Sequence, residues 1–271
     1  MPMPMPRFRD AAHDRARPRR RRRVRLHHAA LLAGGLALTP PAGAAVEQAV
    51  NEFWPELDVY VRLTEHSRLF FSGSVNRAQD FTGRTEGSFA AAFDLFAAQL
   101  PEAWRRALPT MEQSWSLWFR VGYSHVLSIG ERGTDEHRLL ADATLRSRPM
   151  WAGLQLTNRS RVEYRHIDGD VSWRYRNRSR IERPFAPGEL LGEHLGALYG
   201  ALGITGVTPY AMLEFFYDTR VSDWNRRYEQ YGVSFDLRDG KAFEVYLALQ
   251  DTRRAASSSV TALGVVFTFR Y

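Results

Sequence analysis

Val265-Val266-Phe267-Thr268-Phe269-Arg270-Tyr271 is the stretch on which the reading of this sequence turns. Apolar and other side chains alternate along it. Thr261, Leu263, Val265, Phe267, Phe269 and Tyr271 all share one parity. Successive side chains of an extended chain point to opposite faces, so these residues form one face of a strand.

The same pattern recurs upstream. Leu57, Val59, Val61 and Leu63 alternate with Asp58, Tyr60, Arg62 and Thr64. Phe89, Ala91, Phe93 and Leu95 form a second set, and Trp115, Leu117, Phe119, Val121 and Tyr123 a third. His137, Leu139, Ala141, Ala143 and Leu145 follow, then Phe243, Val245, Leu247 and Leu249. Period two over so many segments predicts strands with one apolar face. A water-soluble sandwich would alternate too. The segments, however, run to about ten residues, the length of a membrane-crossing strand, where soluble strands average ~5–6. Aromatics sit near their ends (Trp115, Trp151, Trp173, Tyr217, Trp224), like the girdles of membrane barrels. The last segment resembles the closing strand of bacterial outer-membrane β-barrels. That resemblance implies that Phe267, Phe269 and Tyr271 form the signal read by the barrel assembly machinery. The fold class expected is all-β: a transmembrane, antiparallel, up-and-down barrel.

Charge is unevenly distributed. The pI is about 10.0 and the net charge +7, a balance that would suggest nucleic acid or acidic lipid as partner. Ten arginines between Arg7 and Arg25, against Asp10 and Asp14, give residues 1–45 a charge of +8. Residues 46–271 therefore sum to −1, and the argument for nucleic acid falls. The basic run is followed by apolar Ala29 to Leu38, then Pro40-Pro41 and the small residues Ala42-Gly43-Ala44. That order is the n-region, h-region and cleavage site of a secretory signal peptide. Residues 1–45 are thus expected to be a cleaved leader and residues 46–271 a single barrel domain. The expected location is the outer membrane of a Gram-negative bacterium, with outer-membrane lipid as partner. With no cysteine there is no disulfide framework and no thiolate metal site.

Eleven segments are clear, but bacterial barrels of this type have an even number of strands. Asp168-Gly169 and Asp239-Gly240 are the strongest tight turns. Both fall on the periplasmic side, where turns are short, only if Glu193 to Leu202 supplies one more strand. About twelve strands are expected, with ten as the fallback. The long Gln99–Gln113 connection then lies outside, with Ala103-Trp104-Arg105-Arg106 as a short helix over the barrel mouth. A two-residue turn at Asp168-Gly169 places Glu163 opposite Arg174 and Arg161 opposite Arg176. At the second turn, three residues (Asp239-Gly240-Lys241) set Phe235 against Val245.

The middle of the chain carries paired blocks. Asn158-Arg159-Ser160-Arg161-Val162-Glu163 is followed by Arg174-Tyr175-Arg176-Asn177-Arg178-Ser179-Arg180-Ile181-Glu182, then by Pro209-Tyr210 and Glu214-Phe215-Phe216-Tyr217. These blocks resemble the outer-membrane barrels grouped as domain of unknown function family 2490, over roughly residues 54–271. The resemblance implies a fold and a location. It implies no activity and no catalytic residue.

Arg159, Arg161, Glu163, Arg174, Arg176, Arg178, Arg180, Glu182 and Glu214 have the parity of the polar face. An arginine turned to lipid at the bilayer midplane costs ~2–4 kcal/mol, so these residues are expected to line the lumen. Asp142, Glu214 and Glu244 are the carboxylates placed to neutralise them. An ion-paired plug and a positive wall that passes anions both remain open. The leading functional expectation is a narrow channel for small solutes. The alternative is a closed barrel with an envelope-maintenance or lipid-processing role, phospholipase-like if enzymatic. No catalytic residue is assigned. His125, His137 and His166 are expected toward the periplasm and His66 and His194 outside, without a serine–acid partner. No histidine pair has metal-ligand spacing along the chain and no cofactor is expected.

Overall fold

A computed structural model describes residues 52–78, 85–96, 115–129, 135–252 and 259–271. Its strands are β1 (Glu52–Arg62), β2 (Ser67–Ala78), β3 (Thr85–Phe96), β4 (Trp115–Ile129), β5 (Asp135–Ser147) and β6 (Gln155–Ile167). They continue as β7 (Asp170–Glu182), β8 (Ile204–Asp218), β9 (Asp223–Leu237), β10 (Lys241–Thr252) and β11 (Val260–Arg270). Each strand pairs antiparallel with the next, and β1 returns to β11 to close a barrel. The all-β barrel read from the alternation is the fold of this chain. Residues 1–45, expected to be a leader, the Gln99–Gln113 connection, where a short helix is expected at Ala103–Arg106, and most of the 252–259 loop lie outside the described residues.

Eleven strands close the barrel among the described residues, so the twelfth is not needed. The stretch expected to supply it is a helix, α1 (Pro187–Ala201), interrupted at Gly192 where φ is +78°. Its sequence favours that outcome. Pro-Gly-Glu-Leu-Leu-Gly-Glu-His-Leu-Gly-Ala-Leu-Tyr-Gly-Ala contains strong helix formers and no Val, Ile or Thr. Proline at the start of the helix lacks an N–H that would have no intrahelical acceptor there.

An odd count forces the first and last strands to run the same way. β1 and β11 are parallel, from Glu52 beside Ala262 to Tyr60 beside Arg270. The Tyr271 N–H donates to Tyr60 O at 2.9 Å, and Arg62 N–H donates to Tyr271 O at 2.8 Å. The even-number argument fails here because it assumes an antiparallel closing pair. A parallel pair satisfies the same backbone groups with slanted bonds.

The odd count also separates the tight turns. Asp239-Gly240 joins β9 to β10 at the end of the barrel that carries Tyr271, and Asp168-Gly169 joins β6 to β7 at the other end. Both use left-handed backbone, with φ of +49° and +98° at Asp168 and Gly169 and +60° and +69° at Asp239 and Gly240. The first turn pairs Ile167 with Asp170, so Glu163 stands opposite Arg174 and Arg161 opposite Arg176. The second has three residues, Arg238-Asp239-Gly240, one position earlier than expected, and Phe235 meets Phe243 rather than Val245. The shift in partner is two residues, so every side chain keeps its face.

The outward faces are apolar. Each strand leaves at least one large apolar side chain exposed, among them Leu57, Phe71, Phe89, Val121, Leu139 and Val162 in the first six. Trp173, Phe215, Tyr231, Leu247 and Phe267 continue the series around the barrel. Tyr123–His137, Tyr164–Trp173 and Tyr217–Trp224 ring contacts form an arc at the end away from Tyr271.

The inward faces are packed. Tyr210, Met212, Phe216, Tyr228, Tyr246, Ala248 and Ala262 make a buried cluster from β8 to β11, with Trp54 of β1 packed against it. Trp54 stacks on Tyr228 at 5.9 Å between ring centroids, although β1 and β9 are not neighbours. Such a contact is made only across the interior. Tyr246 lies over Gly264, and any Cβ at that glycine would collide with its ring. On the opposite wall, Asp94 is fully buried and held by Arg68 at 2.7 Å and Arg120 at 2.6 Å.

Candidate functional site

The paired blocks fold into one hairpin of the barrel, β6 with β7, flanked by β5 and β8. Alternation puts Arg159, Arg161, Glu163 and Arg165 on one face, and the tight turn aligns them with Arg178, Arg176, Arg174 and Ser172. β8 enters with Glu214 opposite Arg178. Three strands thus deliver one continuous lattice of charge to the buried face.

Two glutamates organise it. Glu163 accepts from Arg174 Nε at 2.6 Å and from Arg176 Nη1 at 3.0 Å, with Arg161 at 3.9 Å. Glu214 accepts from Arg176 at 3.0 Å, Arg178 at 2.9 Å and Arg159 at 3.2 Å. Both carboxylates are about 1% exposed. Arg161 turns to Asp142 of β5 at 2.6 Å. The juxtaposed pairs Arg161/Arg176 and Arg159/Arg178 are tolerated because a shared carboxylate lies beside each.

The lattice extends to both rims. Arg165 bridges Glu136 and, at 2.7 Å, Asp218, while Arg138 meets Glu136 at 2.7 Å. At the other end Glu182 receives Arg180 at 2.7 Å and Arg146. Arg180 also reaches Glu244 of β10 at 3.3 Å and covers the Tyr210 ring at 3.6 Å. The three carboxylates that parity singled out, Asp142, Glu214 and Glu244, are all partners in this lattice. Nine arginines of β5, β6 and β7 share seven carboxylates, and every one of the nine has a carboxylate partner. Arg146 Nε and Arg159 Nε are buried without a hydrogen-bond acceptor.

At the carboxyl terminus, Phe267 is exposed between Leu57 and Phe243, and Tyr271 is more exposed still. Neither takes part in the charged lattice.

The histidines divide between the two ends of the barrel. His125, His137 and His166 lie at the end away from Tyr271, and His66 and α1, which contains His194, lie at the end that carries it. Register also assembles what spacing along the chain did not suggest. His125 stands opposite His137 and His137 opposite His166, on the outward face. Asp135 approaches His125 Nε2 at 2.5 Å and His137 Nε2 at 3.6 Å. The antiparallel register of β4 with β5 is what sets positions 125 and 137 opposite each other.

No curated protein matches the chain. A family profile described as protein of unknown function (DUF2490) matches residues 51–238, from β1 through β9, and so stops short of the two strands that complete the barrel. That match spans the paired arginine blocks and most of the sequence. The chain belongs to the family of proteins of unknown function DUF2490.

Proposed function

We propose that this chain is an outer-membrane barrel that does not conduct, and that it serves the envelope as a closed, structurally braced element. One observation carries the reading: Glu163 and Glu214, on the buried face, are about 1% exposed and between them engage five arginines. Carboxylates lining a water-filled path would stay accessible to water. The membrane location is supported by exposed apolar side chains on every strand, a surface far larger than soluble proteins leave uncovered. The basic and apolar leader and the aromatic closing strand support export and assembly in that membrane, with Phe267, Phe269 and Tyr271 as the recognition face. Outer-membrane lipid is then the partner of the apolar belt.

The anion-channel reading draws on one observation, the surplus of nine arginines over seven carboxylates. The two readings separate in a planar bilayer. Refolded protein lacking residues 1–45, inserted under a salt gradient, is expected to be electrically silent. Discrete anion-selective steps, altered by R176E, would overturn the closed-barrel reading and establish passage through the arginine-lined interior.

A further inference from the structure

The β4–β5 hairpin and the first residue of β5 build a second constellation, far from the buried lattice in chemistry and facing the other way. The His125 and His137 rings are stacked with centroids 4.6 Å apart and planes 3° apart. Asp135 lies against both, and one ligand atom from each of the three residues lies within 4.8 Å of the others. Two neutral imidazoles and a carboxylate form an N₂O donor set. Ligand atoms around a tetrahedral zinc ion sit ~3.4 Å apart, as follows from metal–ligand bonds of about 2.0–2.1 Å. Small side-chain rotations close the difference.

Hydrogen bonds from the surroundings hold one imidazole and the backbone of Asp135 in place. His137 Nδ1 lies 2.5 Å from the Tyr123 hydroxyl, which leaves Nε2, the nitrogen facing Asp135, free to ligate. Such a partner on the second nitrogen sets tautomer and ring orientation in metal-binding histidines. Asp135 is pinned from the neighbouring turn: its N–H donates to Asp168 Oδ1 at 3.0 Å, and its carbonyl accepts from Asp168 N–H at 3.2 Å. His166 is next in the row, its ring 6.4 Å from that of His137. It stands where a fourth ligand would come from.

We propose that His125, Asp135 and His137 bind a divalent transition-metal ion at the barrel rim opposite the carboxyl terminus, with His166 or water completing the shell. Imidazole and carboxylate donors select zinc, copper or nickel over calcium and magnesium, which prefer all-oxygen shells. The ion would tie the β4–β5 hairpin to β6 and would leave a cationic coordination position at the headgroup level. The proposal does not depend on whether the interior conducts.

The test uses tag-free protein lacking residues 1–45, refolded in detergent, stripped with chelator and titrated with Zn²⁺ in a calorimeter. One equivalent should bind with a micromolar or tighter dissociation constant. H125A, H137A and D135A should each weaken binding at least tenfold, Y123F by a smaller factor through the lost orienting bond, and H66A not at all. Each variant's fold is checked by heat-dependent gel mobility, with H137Q replacing H137A if the alanine variant fails that check. No stoichiometric binding, or binding that survives H125A and H137Q unchanged, would overturn the site.

Discussion

Arg176 grips Glu214 through two parallel hydrogen bonds, Nε to Oε1 at 3.0 Å and Nη2 to Oε2 at 3.1 Å, while its third nitrogen reaches Glu163 at 3.0 Å. One guanidinium thus joins the two glutamates on which the lattice depends. Fork-shaped pairing of this kind is geometrically specific, and its worth depends on every partner remaining in place.

Removing one partner should therefore be far more costly than the net value of the pair. E214Q leaves Arg159, Arg176 and Arg178 competing for the remaining carboxylates. The expected loss is about 3–5 kcal/mol, the scale for uncovering buried charge. Urea titration of folding into lipid vesicles measures it. A loss under about 1 kcal/mol would mean that water reaches the site and screens it.

The closing seam can be tested covalently. Leu57 of β1 and Phe267 of β11 are register partners in the parallel pair. Neighbouring strands are about 4.8 Å apart, within reach of a disulfide. The chain has no cysteine of its own, so L57C/F267C should cross-link in one species on oxidation. L57C/F243C, separated by the intervening β11, should not. The reverse outcome would displace the parallel closure.

Tyr246 occupies the space a side chain at Gly264 would need. G264A should cost about 1–3 kcal/mol by overpacking. Y246A empties that space, so adding G264A to Y246A should cost almost nothing further. A full double-mutant cycle in vesicle folding reads the coupling. Additive losses would show that the ring does not cover the glycine.

At Gly240 the backbone is left-handed with φ of +69°, and a Cβ there would lie 2.5 Å from Arg270 O, next to the closing seam. G240A should lose about 1–2 kcal/mol from the left-handed conformation alone, and G169A less than G240A, since nothing crowds Gly169. Equal losses at the two glycines would remove the contribution of the Arg270 carbonyl.

Much of this architecture is legible in the chain because it is local. Period two marks each strand and its apolar face, and Asp168-Gly169 sets the register that brings Glu163 against Arg174. Parity alone names Asp142, Glu214 and Glu244 as partners of the arginines. Leu195, Ala197, Tyr199 and Ala201 alternate as a strand would, yet Pro187–Ala201 is a helix. Helix propensity over the whole segment is the stronger signal there, and the parallel β1–β11 closure removes any need for an even count.

By itself the sequence determined that strands form, which face of each is apolar and which tight turns connect them, since those depend on side-chain order and on residues that accept positive φ. Only the tertiary structure decided that eleven strands close through a parallel β1–β11 pair, which arginine shares which carboxylate, and that His125, Asp135 and His137 meet. Those are relations between residues far apart in the chain. They follow from strand order and stagger around a closed sheet, and no local pattern of residues encodes them.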